Sequence, residues 1–70
     1  MKAAKLSNRE HEVLTFILSG ETNRQISRQL EISMNTVKTH VTHIFNKLGV
    51  ENRTQAAVTA VKLKLIGDEI

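Results

Sequence analysis

Three residues, Glu31-Ile32-Ser33, separate two stretches of helical periodicity, and this short connector constrains the fold more than any other feature. Ahead of it, Ile26 and Leu30 stand about one helical turn apart and point to the same side. Beyond it, Val37, Val41, Ile44 and Leu48 recur at i, i+4, i+7 and i+11, the spacing of a single helical stripe. Two helices joined by so short a turn must cross steeply, which is the helix-turn-helix arrangement. Ile26, Leu30, Ile32, Val37 and Val41 would fill the angle between them. An ordinary corner between two helices shares the turn and the apolar pattern, so the outer face of the second helix has to tell the two apart.

Capping signals place these helices among four. Ser7-Asn8-Arg9-Glu10 matches the capping box S-x-x-E, and Val13, Leu14, Phe16, Ile17 and Leu18 follow as a broad apolar face that ends at Gly20. Thr22-Asn23-Arg24-Gln25 is a second box, of the Gln type, and Ser33 is the N-cap of the next helix, which Gly49 closes. Asn52-Arg53-Thr54-Gln55 opens the last. The spacing predicts an all-α, compact four-helix domain with helices over about 8–19, 23–30, 34–48 and 53–65. Residues 1–70 make one domain, with 1–5 expected as a flexible N-terminal segment or a linker remnant. A chain this short buries only about 60% of its unfolded surface, so its stability is marginal.

Composition removes several classes. With no Cys there is no disulfide framework and no thiolate metal site, which fits a reducing compartment. No apolar run approaches the ~18 residues of a membrane span, and MKAAKLSNRE has no apolar core of signal-peptide length. The expected setting is the cytoplasm, with no membrane partner. Aromatic content is 3%, only Phe16 and Phe45, against single-strand or RNA binding by base stacking. There is no glycine-rich phosphate loop, nucleophile elbow or paired-carboxylate site, so an enzyme is not expected. His11, between Glu10 and Glu12, reads as a solvated residue. His40 and His43 form H-x-x-H, but two ligands fall short of the three or four a metal site wants. No cofactor, and no small-molecule ligand in this domain, is expected.

Charge is distributed more tellingly than its net value of +3 suggests. The segment from Thr22 to Val50 holds Arg24, Arg28, Lys38, Lys47, His40 and His43 against Glu31 alone, and from Ile32 to Val50 no carboxylate occurs. A merely solvated helix face usually mixes in Glu. The face opposite the apolar stripe carries Asn35, Lys38, Thr39, Thr42, Asn46 and, to one side, His43. Lys and Arg attract phosphate and release counterions; Thr and Asn bond phosphate oxygens or base edges, and a Thr methyl can meet a thymine methyl. The first turn, 34–36, presents free N–H groups and the positive dipole end to an anion. The pattern points to double-stranded DNA. Lys38, Thr39 and Thr42, read as near the centre of that face with the others toward its edges, are the candidates for base contacts. Thr36, Asn35, His40, Asn46 and Lys47 are the candidates for phosphate contacts, with Arg24 and Arg28 on helix 2 reaching the backbone where that helix crosses it. Imidazolium beside phosphate would couple affinity to protonation.

The segments LSNREHEVL, NRQIS, EISMNTVKTHVTHIFNKLGV and NRTQAAV resemble the DNA-binding domain of the LuxR/FixJ/NarL (GerE-like) bacterial regulators over 6–66. The resemblance implies helix 3 as the recognition helix, helix 4 packed behind it and serving in dimerisation, base contacts near Lys38, Thr39 and Thr42, and phosphate contacts near Thr36 and His40. This chain departs from the family's pattern at four places. Ser27 stands where a small apolar Ala is usual, its hydroxyl able to bond a carbonyl one turn back. Gln25 stands where Glu is common, Thr42 is short where some relatives have Lys, and Glu31 holds a turn position that calls for φ > 0.

Helix 4 supports a dimer independently. Its Ala56, Ala57, Val58, Ala60, Val61, Leu63, Leu65 and Ile66 cover more of the circumference than one core stripe needs. Val58, Val61 and Leu65 are the expected exposed surplus, and an exposed apolar strip suggests a partner, here a weak homodimer. Deeper burial of the helix is the alternative. A rival reading is a sigma-factor-like promoter and RNA polymerase interaction module acting as a monomer. Met1 suits a stand-alone regulator, and MKAAK equally suits the trimmed end of a linker from a receiver or ligand-binding domain.

Overall fold

The computed structural model describes residues 6–62, which fold into four α-helices. These are α1 (Asn8–Leu18), α2 (Asn23–Leu30), α3 (Met34–Leu48) and α4 (Arg53–Lys62). The expected flexible segment 1–5, the extension of the last helix to 65, and Leu63, Leu65 and Ile66 lie outside the described residues.

Each helix starts where its cap says it should. Ser7 Oγ accepts from the Glu10 N–H at 3.1 Å and Glu10 Oε1 accepts from the Ser7 N–H at 3.0 Å, a complete capping box. Thr22 and Gln25 repeat it at 3.1 and 2.8 Å. Ser33 Oγ accepts from the Thr36 N–H at 3.0 Å. The last box departs from expectation. Asn52 Oδ1 accepts from the Gln55 N–H at 2.8 Å, but the Gln55 side chain reaches past the cap to the Glu51 N–H, also at 2.8 Å.

The ends follow local chemistry as well. α1 closes one residue earlier than expected, at Leu18, because Ser19 is its C-cap. Gly20 takes φ +86°, and the Glu21 N–H donates to the Phe16 carbonyl while Gly20 N–H donates to Ile17, a Schellman closure. Glu31 closes α2 in the left-handed region at φ 58°, where the Ile32 N–H donates to the Ser27 carbonyl at 3.0 Å. A residue with a Cβ costs about 1–2 kcal/mol there. We therefore expect Glu31→Gly to stabilise the domain by about 0.5–1 kcal/mol, the relief of that strain less glycine's extra chain entropy. A urea midpoint that falls in this variant would contradict it.

α3 is the hub: it packs against α1, α2 and α4, and α4 also touches α1. Val13, Leu14, Ile17, Ile26, Val37, Val41, Ile44, Ala56 and Ala60 form the buried core. Phe16, Leu18, Leu30, Ile32 and Leu48, expected to face inward, are half-buried and pack around its rim. Ala56 and Ala60 are fully buried, and small side chains there let α4 lie close behind the helix-turn-helix pair. Ser27 is buried too, and its hydroxyl donates to the Arg24 carbonyl at 2.7 Å, so the substitution of a polar residue at a tight helix crossing leaves no unpaired group.

Candidate nucleic-acid interface

The three buried valine and isoleucine residues of α3 turn its opposite face outward, and that face is exposed at Asn35, Thr36, Lys38, Thr39, Thr42, His43 and Asn46. At about 100° per residue, Thr39, Asn46, Asn35 and Thr42 stand opposite the core, whereas Lys38 stands about 90° from that centre. Lys38 is thus on a flank rather than central, and its four-carbon stem has to reach round. His40 and Lys47 are half-buried on the other flank. Arg24 and Arg28 are exposed on the side of α2 away from Ile26.

Hydrogen bonding already commits part of this face. The Thr39 hydroxyl donates to the Asn35 carbonyl at 3.1 Å, so outward it offers its methyl group and an acceptor lone pair rather than a donor. Ser33 Oγ and Thr36 Oγ1 lie 2.9 Å apart. Only one of those two hydroxyls can donate to the other, so one hydroxyl hydrogen remains for an external acceptor at the mouth of the helix, whichever way the pair is arranged.

The charges divide into paired and unpaired. Lys47 Nζ lies 2.7 Å from Glu10 Oε1, and His43 Nδ1 lies 3.7 Å from Glu10 Oε2. The Glu10 side chain is only 7% exposed, so a nearly buried carboxylate at the start of α1 holds two neighbouring turns of α3. The hydrogen bond from Lys47 and that from the Ser7 N–H hold its carboxyl below the ordinary carboxylate range, against the opposing pull of burial. Lys47, a candidate for phosphate, therefore meets a carboxylate first. The spacing pattern missed this cluster, because Glu10 looked fully explained by its capping box and its partner lies 37 residues away. Lys38, Arg24 and Arg28 have no carboxylate partner among the described residues.

Other features of the surface do not compete with this face. Among the described residues no group of three or more His, Cys, Asp or Glu is placed to hold a metal, and no helix is long and apolar enough to cross a membrane. An open cleft of about 520 Å³ between the end of α1 and the start of α4 is lined by Ile17, Thr22, Arg53 and Ala57 among others. Its one cation, Arg53, donates to the Glu21 carbonyl at 3.1 Å and to Asn23 Oδ1, so it serves to tie the loop before α2 to α4. On α4, Val58 and Val61 are 49% and 46% exposed. Met34, the first residue of α3, is a further exposed apolar side chain that the sequence pattern did not single out.

Comparison with known proteins agrees with this geometry. The family described as "Bacterial regulatory proteins, luxR family" matches residues 4–60. The chain is 49% identical over 67 residues to the transcriptional regulatory protein YhcZ of Bacillus subtilis, covering 96% of this chain and 31% of that protein. It is 49% identical over 61 residues to the transcriptional regulatory protein LiaR of the same organism, covering 87% of this chain and 29% of that one. It thus spans about a third of the length of these curated relatives. The solved structure of the transcription factor GerE superposes with a TM-score of 0.82 at 34% identity, covering 89% of this chain and 92% of GerE. The response regulator ChrA of a heme-sensing two-component system superposes at 0.87 and 47% identity, covering 94% of this chain and 33% of ChrA. Four helices with a three-residue turn, an outward helix face without carboxylates and the match over 4–60 lead to one statement: the chain belongs to the luxR family of bacterial regulatory proteins.

Proposed function

We propose that this domain binds double-stranded DNA sequence-specifically as a symmetric dimer, laying α3 in the major groove and pairing through α4. The observation that carries the reading is the outer face of α3, exposed from Asn35 to Asn46 and without a carboxylate, together with Lys38 on its flank and Arg24 and Arg28 exposed on α2, none of which has a carboxylate partner among the described residues. Lys38, Thr39 and Thr42 then read base edges. Asn35, Thr36, His40, Asn46, Arg24 and Arg28 hold the phosphate backbone, and Lys47 joins them only where a phosphate competes with Glu10. Val58 and Val61, half-exposed on α4, are the described part of the dimer strip to which Leu65 is also assigned. The longer relatives carry names of transcriptional regulatory proteins, which supports regulation of transcription as the use of this binding. RNA polymerase is a further candidate partner in that process.

The test is a salt series of binding to random duplex DNA, followed by selection of preferred sites from a random library. We expect a steep salt dependence and an enriched inverted repeat whose half-sites lie about one helical turn, ~10 bp, apart. Val58→Asp with Val61→Asp should then bind one half-site and lose the advantage of the second. An enriched asymmetric site would favour a monomeric, sigma-factor-like module. Binding without salt dependence would remove the DNA reading.

A further inference from the structure

We propose that Met34 is a specificity-determining residue that recognises the 5-methyl group of a thymine in the bound duplex. The inference deepens the DNA-binding reading above and rests on it.

Met34 is the first residue of the proposed recognition helix and is 40% exposed. It is not among the hydrophobic residues that pack on or around the core. Its neighbours Ser33, Asn35 and Thr36 are polar and exposed, so it is an isolated apolar group in the first turn of α3, on the flank of the polar, acid-free face that also carries Lys38. Side chains of a helix lean toward its N-terminus, so Met34 extends past the first turn of α3. In a helix-turn-helix that end of the second helix is where base edges are met.

What Met34 offers there has one good counterpart in the major groove. Among the four bases only thymine presents an apolar group on that edge, its 5-methyl, beside the O4 acceptor. Lys38 stands one turn along the same flank, four residues on, and brings an ammonium donor with no carboxylate partner among the described residues. An apolar contact followed by a donor matches the methyl and O4 of thymine, or thymine beside a guanine. Methionine suits the task, since its unbranched, polarisable chain adapts to a contact without a fixed shape. Thr39, whose hydroxyl hydrogen is held by Asn35, adds a second methyl at the centre of the face.

The experiment uses the full 70-residue chain and the duplex selected above, with each thymine replaced in turn by deoxyuridine, which removes only the methyl. Wild type is expected to lose about fourfold in affinity at one thymine per half-site, the size of a single buried methyl group. Met34→Ala should lose the discrimination at that position and keep it elsewhere, and Met34→Leu should retain it. Thermal midpoints of both variants should match wild type, because Met34 lies outside the core. Overturning results are a wild type indifferent to every replacement, or a Met34→Ala protein that still distinguishes thymine from uracil at every position where wild type does. Failure to select any duplex, with no salt-dependent binding, would instead bring down the DNA reading itself and this proposal with it.

Discussion

Lys47→Met should destabilise the domain by about 1.5–3 kcal/mol at neutral pH, the usual worth of a hydrogen bond to a charged group with a buried partner. Methionine keeps the aliphatic stem, so the loss isolates the ammonium. In the folded protein Glu10 is 7% exposed at its side chain and Lys47 is 35% exposed, so the two partners are not equivalent. Freed from Glu10, Lys47 can extend into water. Freed from Lys47, Glu10 stays in place with the Ser7 N–H at 3.0 Å and His43 at 3.7 Å as its remaining support. A domain of this size has only a few kcal/mol to lose, so the shift in a urea midpoint should be large.

The pH dependence has a definite sign. The carboxyl of Glu10 is held below its ordinary value by Lys47 and the Ser7 N–H, so the unfolded chain takes up its proton first as pH falls. The stability this group contributes is therefore present above the unfolded value, about 4.3, and is lost as pH falls through the lowered folded value. In Lys47→Met the folded value rises toward the ordinary one. The deficit of the variant should be full at neutral pH and shrink as acid protonates Glu10 in both proteins. A deficit of equal size at neutral pH and in acid would mean that Lys47 acts through packing alone. Adding Glu10→Gln should recover part of the loss, since a neutral amide keeps the Ser7 bond without a buried charge.

Lys38→Ala should weaken binding to the selected operator by about 1–3 kcal/mol and relax preference at one base position. Lys38 differs from Lys47 in having no carboxylate partner among the described residues. Its charge is available to the groove, and its removal costs the fold little. The prediction also absorbs its place on the flank of α3. A side chain that reaches round the helix must hold one extended conformation to meet a base edge, and Lys38→Arg should not fully replace it, because a planar fork needs a different approach from a point charge. Selection repeated with Lys38→Ala is the measurement. An unchanged base preference would show that Lys38 contacts phosphate only. Lys47→Met offers the contrast on the same DNA, weakening specific and random duplexes alike, with a change in salt slope below the ~1 of a fully available phosphate cation, since Glu10 already neutralises it.

What the sequence determined by itself is everything whose physics acts within four residues. Ser7, Thr22, Ser33 and Asn52 announced the helix starts, and all four side chains accept from the N–H three residues on, with only the return bond of Gln55 going to Glu51 instead. The family resemblance marked Glu31 as standing at a left-handed turn position, while Ser27 was legible as a hydroxyl bonded one turn back and the acid-free face of α3 as outward. Periodicity alone names the buried stripe, because a helix fixes the direction of every side chain relative to its neighbours. Tertiary structure decided what depends on how two helices cross. Which lysine meets a carboxylate is such a matter: both stand in a segment without acids, yet α1 brings Glu10 to Lys47 across a separation of 37 residues, and no carboxylate among the described residues reaches Lys38. The half-burial of Phe16, Leu30 and Leu48 and the exposure of Met34 are set in the same way. Contacts between helices follow from crossing angle and distance, which no local pattern encodes, and so the division of one basic face into structural and available charge emerged only in the folded domain.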